Sequence, residues 1–151
     1  MKIFNDLLLK FEMPDWSANP EFCTIDFILE SRPDLILMLR PDIVGNEKAS
    51  TFGRQDTPSV EQIVRAAIFK EMRGMEYREL EYAQSDSRIC EAFLKLDGRD
   101  PFSFQMFQKY ISRIKPDSLQ RLLVEVNRIA ISQGLEDIKS MSQDSTIVET
   151  N

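Results

Sequence analysis

The chain has 151 residues, 42% of them apolar and 29% charged, with 19 Lys and Arg against 25 Asp and Glu for a net of −6. That apolar share supports a packed core, so a wholly disordered chain is excluded, and the length suits one domain or one plus the start of another. The chain has no histidine, which excludes Ser-His-Asp and Cys-His nucleophile systems and His-ligated zinc.

Residues 1–21 read as irregular, with turn signals at Met13-Pro14-Asp15-Trp16 and Asn19-Pro20. Thr24 to Glu30 suits a short helix capped by Thr24. Pro33-Asp34 opens another, Leu35 to Leu39, closed near Pro41. Residues 41–57 are polar, with Gly45-Asn46, Ser50-Thr51 and Gly53, and read as a loop or linker.

A stronger helix follows. Thr57-Pro58 supplies an N-cap and a proline at the first helical position. Val60, Ile63, Val64, Ala67 and Ile68 repeat at helical spacing, and Gly74 ends the run. Tyr77 to Gln84 is a short helix with Tyr77, Leu80 and Ala83 as its apolar side. Asp86 is the expected cap of the next, which bears Ile89, Cys90, Phe93 and Leu94. Asp97-Gly98-Arg99-Asp100-Pro101 is a turn. Ser103 caps a helix with Phe104, Phe107, Tyr110, Ile111 and Ile114 on one side. Pro116 starts the last, with Leu119, Leu122, Leu123, Val126 and Ile129 inward and Gly134 as its stop. From Ile138 to Val148 the helical period is lost, and Thr146-Ile147-Val148 favours a strand. A lone strand near the end of the chain suggests the start of a second domain.

Cys23 and Cys90 lie far apart and form no Cys-x-x-Cys pair, so two ordinary thiols are expected rather than a disulfide framework. No signal-peptide pattern opens the chain. The longest aliphatic run, Leu35 to Leu39, has five residues, whereas a bilayer span needs about 20. The expectation is a cytoplasmic protein without a membrane partner.

Charge is uneven. Residues 1–53 carry a net of −4, residues 54–128 a net of +1, and residues 129–151 a net of −3. Within the middle segment, residues 102–128 hold 5 basic and 2 acidic side chains. An acidic whole argues against indiscriminate nucleic-acid binding, but leaves room for a basic face here.

Opposite the apolar side of the Ser103-capped helix lie Gln105, Gln108, Lys109, Ser112 and Arg113, followed by Lys115. Amide, hydroxyl and guanidinium groups on one face suit base edges and phosphates. The short helices before it fit a helix-turn-helix-like arrangement. The alternative is a solvated helix face. Arg88, Arg65, Lys70 and Arg73 suit phosphate contact, but their interleaving with Glu61, Glu71, Glu76, Glu79 and Glu81 favours surface ion pairing. Phe93, Phe102, Phe104, Phe107 and Tyr110 suit base stacking, but their helical spacing favours core. Asp144 stands in the strand-like stretch beside Ser142, Ser145 and Thr146, where a carboxylate holds a metal only if others converge on it.

Three groups of residues carry a resemblance. The first is Pro58-Ser59-Val60-Glu61-Gln62 with Arg65-Ala66-Ala67-Ile68. The second is Arg73-Gly74-Met75-Glu76-Tyr77-Arg78-Glu79-Leu80, then Asp86-Ser87-Arg88 and Ala92-Phe93-Leu94. The third is Asp144-Ser145-Thr146-Ile147-Val148-Glu149-Thr150-Asn151. In this order, over about residues 55–151, they resemble the N-terminal domain of bacterial insertion-sequence DDE transposases.

The resemblance implies a helical domain that recognises terminal inverted repeats, leading into a ribonuclease-H-like domain. There three carboxylates hold two divalent metals, Mg or Mn, for in-line attack on phosphate. Asp144 falls on the first catalytic aspartate, so it is the candidate catalytic and metal-ligating residue. The chain stops seven residues later, without the other two carboxylates. Alone it is therefore expected to hold no metal and to be inactive. Glu76 departs from the Ser or Thr helix cap usual at that position in the family.

The expected fold is mainly α. It is a helical bundle with a helix-turn-helix-like arrangement, ending in the first β-strand of a truncated ribonuclease-H-like domain. Residues 1–54 form an acidic segment with short helices and a linker, 55–135 the DNA-binding domain, and 136–151 the start of the catalytic domain. The expected partners are terminal inverted-repeat DNA and a second copy or a full-length transposase. The alternative is a protein-interaction or dimerisation module, such as a transposition-inhibitor remnant, in which Leu35, Ile36 and Leu39 form an interface. Charge placement separates the two. An exposed, carboxylate-free face of Lys109, Arg113, Lys115 and Arg121 favours DNA. Acidic residues of the N-terminal segment on that face favour autoinhibition or interaction. Replacing Lys109 and Arg113 with alanine is expected to weaken DNA binding without unfolding the chain.

Overall fold

The described residues of the computed structural model, 19–45 and 57–134, hold eight helices and no strand. They are α1 (Pro20–Ser31), α2 (Pro33–Leu37), α3 (Arg40–Val44), α4 (Val60–Arg73), α5 (Tyr77–Asp86), α6 (Arg88–Phe93), α7 (Phe104–Ile111) and α8 (Pro116–Ser132). The strand-like stretch from Ile138 to Val148 lies outside the described residues, as does residue 46–56 of the expected linker.

The mainly helical expectation holds, and several boundaries move. α1 begins at Pro20, because a proline at the first helical position loses no hydrogen bond. Thr24 is therefore buried inside the helix instead of capping it. Pro41 likewise sits in the first turn of α3, so it opens a helix where a stop was expected. The cap of α4 is Ser59, not Thr57. Its Oγ accepts from the Gln62 N–H at 3.0 Å, and Gln62 Oε1 accepts from the Ser59 N–H at 3.0 Å. This reciprocal pair satisfies two end groups at once. Asp86 ends α5, and Ser87 caps α6 through Cys90 N–H at 3.1 Å. At Glu76 the backbone N–H donates to Glu79 at 2.7 Å, which supports the start of α5 without a Ser or Thr there. Gly74 ends α4 as expected, at φ +61, a conformation that favours glycine.

The three N-terminal helices share the core of the later ones. Phe22, Ile25, Leu29, Leu35, Ile36, Leu39 and Ile43 are buried with Ile63, Val64, Phe69, Phe93, Phe107 and Leu122. Leu35, Ile36 and Leu39 are thus core, not the interface one reading required. Phe22 stacks on Phe69 at 4.9 Å and meets Phe93 edge-on at 5.2 Å.

At the centre lies a buried ionic network. Arg65 of α4 is 0% exposed. It reaches Asp26 at 2.8 Å, Glu30 at 3.0 Å and Glu61 at 3.0 Å, and donates to the Phe93 carbonyl at 3.0 Å. Lys95 pairs with Glu61 at 2.7 Å and also with Glu30. The Lys95 carbonyl accepts from the Gln62 amide at 3.2 Å. Surface pairing, expected for Arg65 and Glu61, is thus replaced by a buried junction of α1, α4 and the end of α6. Lys95 holds φ +56, where glycine is usual. Its N–H donates to the Ala92 carbonyl and that of Leu96 to Glu91, closing α6.

Arg65→Met roughly keeps volume but takes the Arg65 pair from buried Asp26 and leaves Glu61 to Lys95, so urea unfolding should show a loss of about 3–5 kcal/mol. Lys95→Gly relaxes the backbone by about 1 kcal/mol. It also strips Glu61 of an ion pair, and net destabilisation is expected. Burial pushes the Cys90 thiol up to about 12. Because the folded value lies above the unfolded one, its contribution is complete below the unfolded value and is lost as pH rises toward 12. Native Cys90 should resist thiol reagents near neutral pH while half-buried Cys23 reacts, and unfolding should expose both.

Candidate nucleic-acid interface

α7 is fixed at its N-terminal end. Ser103 Oγ accepts from the Met106 N–H at 3.2 Å, and Glu81 of α5 accepts from the Phe104 N–H at 2.8 Å. Just before it, Gln84 Oε1 accepts from the Phe102 N–H at 2.8 Å, and its amide donates to the Phe102 carbonyl at 2.9 Å. Phe107, Tyr110, Ile111 and Ile114 are buried. The opposite face is then forced outward by helix geometry.

Gln105, Gln108, Lys109 and Ser112 are all exposed, at the i, i+3, i+4, i+7 spacing of one face. The Lys109 ammonium lies 5.1 Å from the Tyr110 ring centroid, and Ser112 Oγ donates to the Lys109 carbonyl at 3.4 Å.

Arg113 does not join this face freely. It is half-buried, 4.8 Å from the Tyr110 centroid, and its Nη1 donates to the Ile43 carbonyl at 2.8 Å. Lys115 is exposed, but its backbone N–H donates to Asp42 at 3.0 Å. A hydrogen bond from the Ser118 side chain, the Lys115 N–H, and the charges of Lys115 and Arg121 together hold the Asp42 carboxyl below the usual carboxylate range, against some desolvation. Of the four cations expected on one face, Lys109, Lys115 and Arg121 are exposed, and the corner holds a carboxylate from the acidic segment.

The other candidates separate clearly. Arg65 is buried and unreachable by phosphate. Arg73 lies over the rings of Phe22 and Phe69 at 5.0 and 5.4 Å, and Lys70 over Tyr77 at 4.6 Å. Arg88 is exposed. Phe93, Phe102, Phe107 and Tyr110 are core, so they do not stack on bases. Phe104 is half-buried under Arg78, at 4.3 Å. Asp144, Ser142, Ser145 and Thr146 lie outside the described residues. Among the described residues, no group of three or more Cys, Asp or Glu is placed to hold a metal. No helix there is long and apolar enough to cross a membrane.

Asp42 was not singled out by the sequence reading. A partial signal was present: Lys115-Pro116 opens α8 with a residue that has no side-chain acceptor, which leaves that end to water or to an acceptor from elsewhere in the chain. Comparison with protein-family models, curated proteins and solved structures found no match to this chain.

Lys109→Ala should change urea stability by less than about 0.5 kcal/mol, as for other exposed sites. Arg113→Ala frees the Ile43 carbonyl and should cost about 1–2 kcal/mol. Arg113 therefore reports on stability as well as on any ligand.

Proposed function

We propose that this chain binds duplex DNA through the exposed face of α7, as the DNA-recognising N-terminal part of an insertion-sequence DDE transposase. The observation that carries this reading is the placement of Gln105, Gln108, Lys109 and Ser112 outward on a helix whose other side is anchored in the core. A glutamine amide matches the N6 and N7 edge of adenine, and lysine matches the guanine edge or a phosphate. Lys115 and Arg121 beyond the helix suit backbone contact. In this reading α5 and α6 support α7 in a helix-turn-helix-like arrangement, and terminal inverted repeats are the target. Residues 136–151 then open a ribonuclease-H-like domain, with Asp144 as its first metal-binding carboxylate. Metal-dependent strand cleavage and transfer belong to the full-length parent, in the cytoplasm, and pairing with another copy brings two element ends together.

A second reading, an interaction module, is favoured by a different observation. Phe27 of α1 and Val124 and Ile131 of α8 are each 55% exposed. Val124 and Ile131 stand two turns apart on one helix, and α1 packs on α8.

The test is a salt titration of binding to duplex carrying the terminal repeats, against scrambled duplex. Preference for the repeats with a clear salt slope supports the first reading. No preference at any salt moves the reading to the second. Lys109→Ala should weaken binding and reduce the salt slope by about 1, whereas Gln108→Ala should cost about 1–3 kcal/mol and relax preference at one base pair.

A further inference from the structure

Gln84 of α5 is buried, at 4% exposed, and gives both ends of its amide to one residue. Its Oε1 accepts from the Phe102 N–H at 2.8 Å, and its Nε2 donates to the Phe102 carbonyl at 2.9 Å. The Nε2 contact with the Leu80 carbonyl is longer, at 3.5 Å. A primary amide carries a donor and an acceptor side by side, so it can occupy both backbone groups of a residue. One bond fixes a distance, and two fix an orientation as well. Phe102 is itself buried, so its peptide groups need these partners.

Three positions earlier on α5, Glu81 accepts from the Phe104 N–H at 2.8 Å. That N–H is one of those a helix leaves without an internal partner at its start. Two side chains of α5 thus hold the backbone at residues 102 and 104. Gln105, the first residue of the exposed face, comes next.

The consequence for base reading follows from lengths. α7 has eight residues, about 12 Å at the usual helical rise. A tilt of about 5° around its far end moves its start by about 1 Å. Hydrogen bonds of about 2.7–3.2 Å do not survive such a shift, so a glutamine amide on a base edge loses its match. A lysine ammonium near a phosphate loses little, because its attraction falls only as the inverse of distance and its stem is flexible. Loosening Phe102 therefore removes sequence preference before it removes affinity.

We propose that Gln84 is a positioning residue for base-pair discrimination, acting through the Phe102 backbone to set where the Gln105–Ser112 face of α7 stands. This rests on the DNA-binding reading of α7. Sequence preference then depends on a buried side chain of α5 that touches no DNA. Non-specific binding depends instead on the exposed cations Lys109, Lys115 and Arg121.

The experiment starts from a duplex library randomised over two helical turns, from which the wild-type chain selects. The enriched duplex and a scrambled one are then titrated with wild type, Gln84→Met and Val126→Ala at several salt concentrations, where circular dichroism shows each chain folded. Methionine is of similar size but cannot form the paired bonds. Val126 is a buried residue of α8, so its variant lowers stability away from the bonds to Phe102 and Phe104. Gln84→Met should lower the enriched-to-scrambled affinity ratio about tenfold or more, with scrambled-duplex affinity within about twofold and the salt slope unchanged. Val126→Ala should keep the wild-type ratio. Gln84→Glu supplies a rescue. As a carboxylate it accepts from the Phe102 N–H but has no proton for the carbonyl, whereas the neutral carboxyl does both. Its ratio should rise toward wild type from pH about 8 to about 5, and that of Gln84→Met should not. An unchanged ratio in Gln84→Met, an equal fall in Val126→Ala, or a matching loss on scrambled duplex would overturn the proposal and leave DNA binding standing. No enriched duplex for wild type, or no binding at low salt, overturns both. Should Gln84→Met not fold, the pH comparison of Gln84→Glu decides, and a flat ratio there overturns the proposal.

Discussion

The Arg65 guanidinium is the constraint on which the rest of the structure depends. It is fully buried, and its donors reach α1, its own helix and the end of α6. A buried ion pair contributes little net stability against an apolar alternative, but breaking one is costly. Its effect is therefore on arrangement. The placement of α1 against α4 brings Asp26 and Glu30 to the same guanidinium, and the end of α6 brings the Phe93 carbonyl to it and Lys95 to the same carboxylates Glu30 and Glu61. The positive φ of Lys95 follows from this. A glycine would suit the backbone, but it would leave Glu61 without the Lys95 ammonium.

From that junction the order passes to the candidate interface. α5 packs on α6 and holds the approach to α7 through two Gln84 bonds to the Phe102 backbone and one Glu81 bond to Phe104. Phe102 in turn meets Phe107 edge-on at 5.6 Å. α7 is thus presented by side chains that bond its backbone, and not by packing alone. A reading helix needs that rigidity, because base edges are distinguished by the placement of single donors and acceptors.

The helices were legible from periodicity and punctuation. Val60 to Ile68, Phe104 to Ile114 and Leu119 to Ile129 each show an apolar stripe, and the structure buries much of each. Gly74, Ser103 and Pro116 marked ends correctly because their backbone preferences are local. The early segment read poorly for the same reason. Asn19-Pro20 and Arg40-Pro41 are equally good turns and helix starts, and only the packing of Phe22 and Ile43 decides. Arg65 was misread because charge pattern cannot distinguish a surface ladder from a buried network. Its partners Asp26 and Glu30 lie 39 and 35 residues away. The exposed α7 face was read correctly residue by residue except at Arg113, whose partner is the Ile43 carbonyl, 70 residues distant. No local pattern encodes such a contact.

The acidic N-terminal segment then has a physical role that its composition alone does not suggest. Its helices α1 to α3 supply Asp26 and Glu30 to the central junction and Asp42 to the α8 cap. Three of its acids therefore answer cations or helix ends of the later helices instead of merely adding solubility. The two uses differ in burial. Asp26 is buried against Arg65, where water cannot replace it, so that contact fixes the fold. Asp42 is only partly covered, and its partners remain within reach of solvent. A solvent-accessible ion contact is weak and exchangeable. The segment is thus tied to the later helices through a buried contact at one end and a partly exposed one at the other.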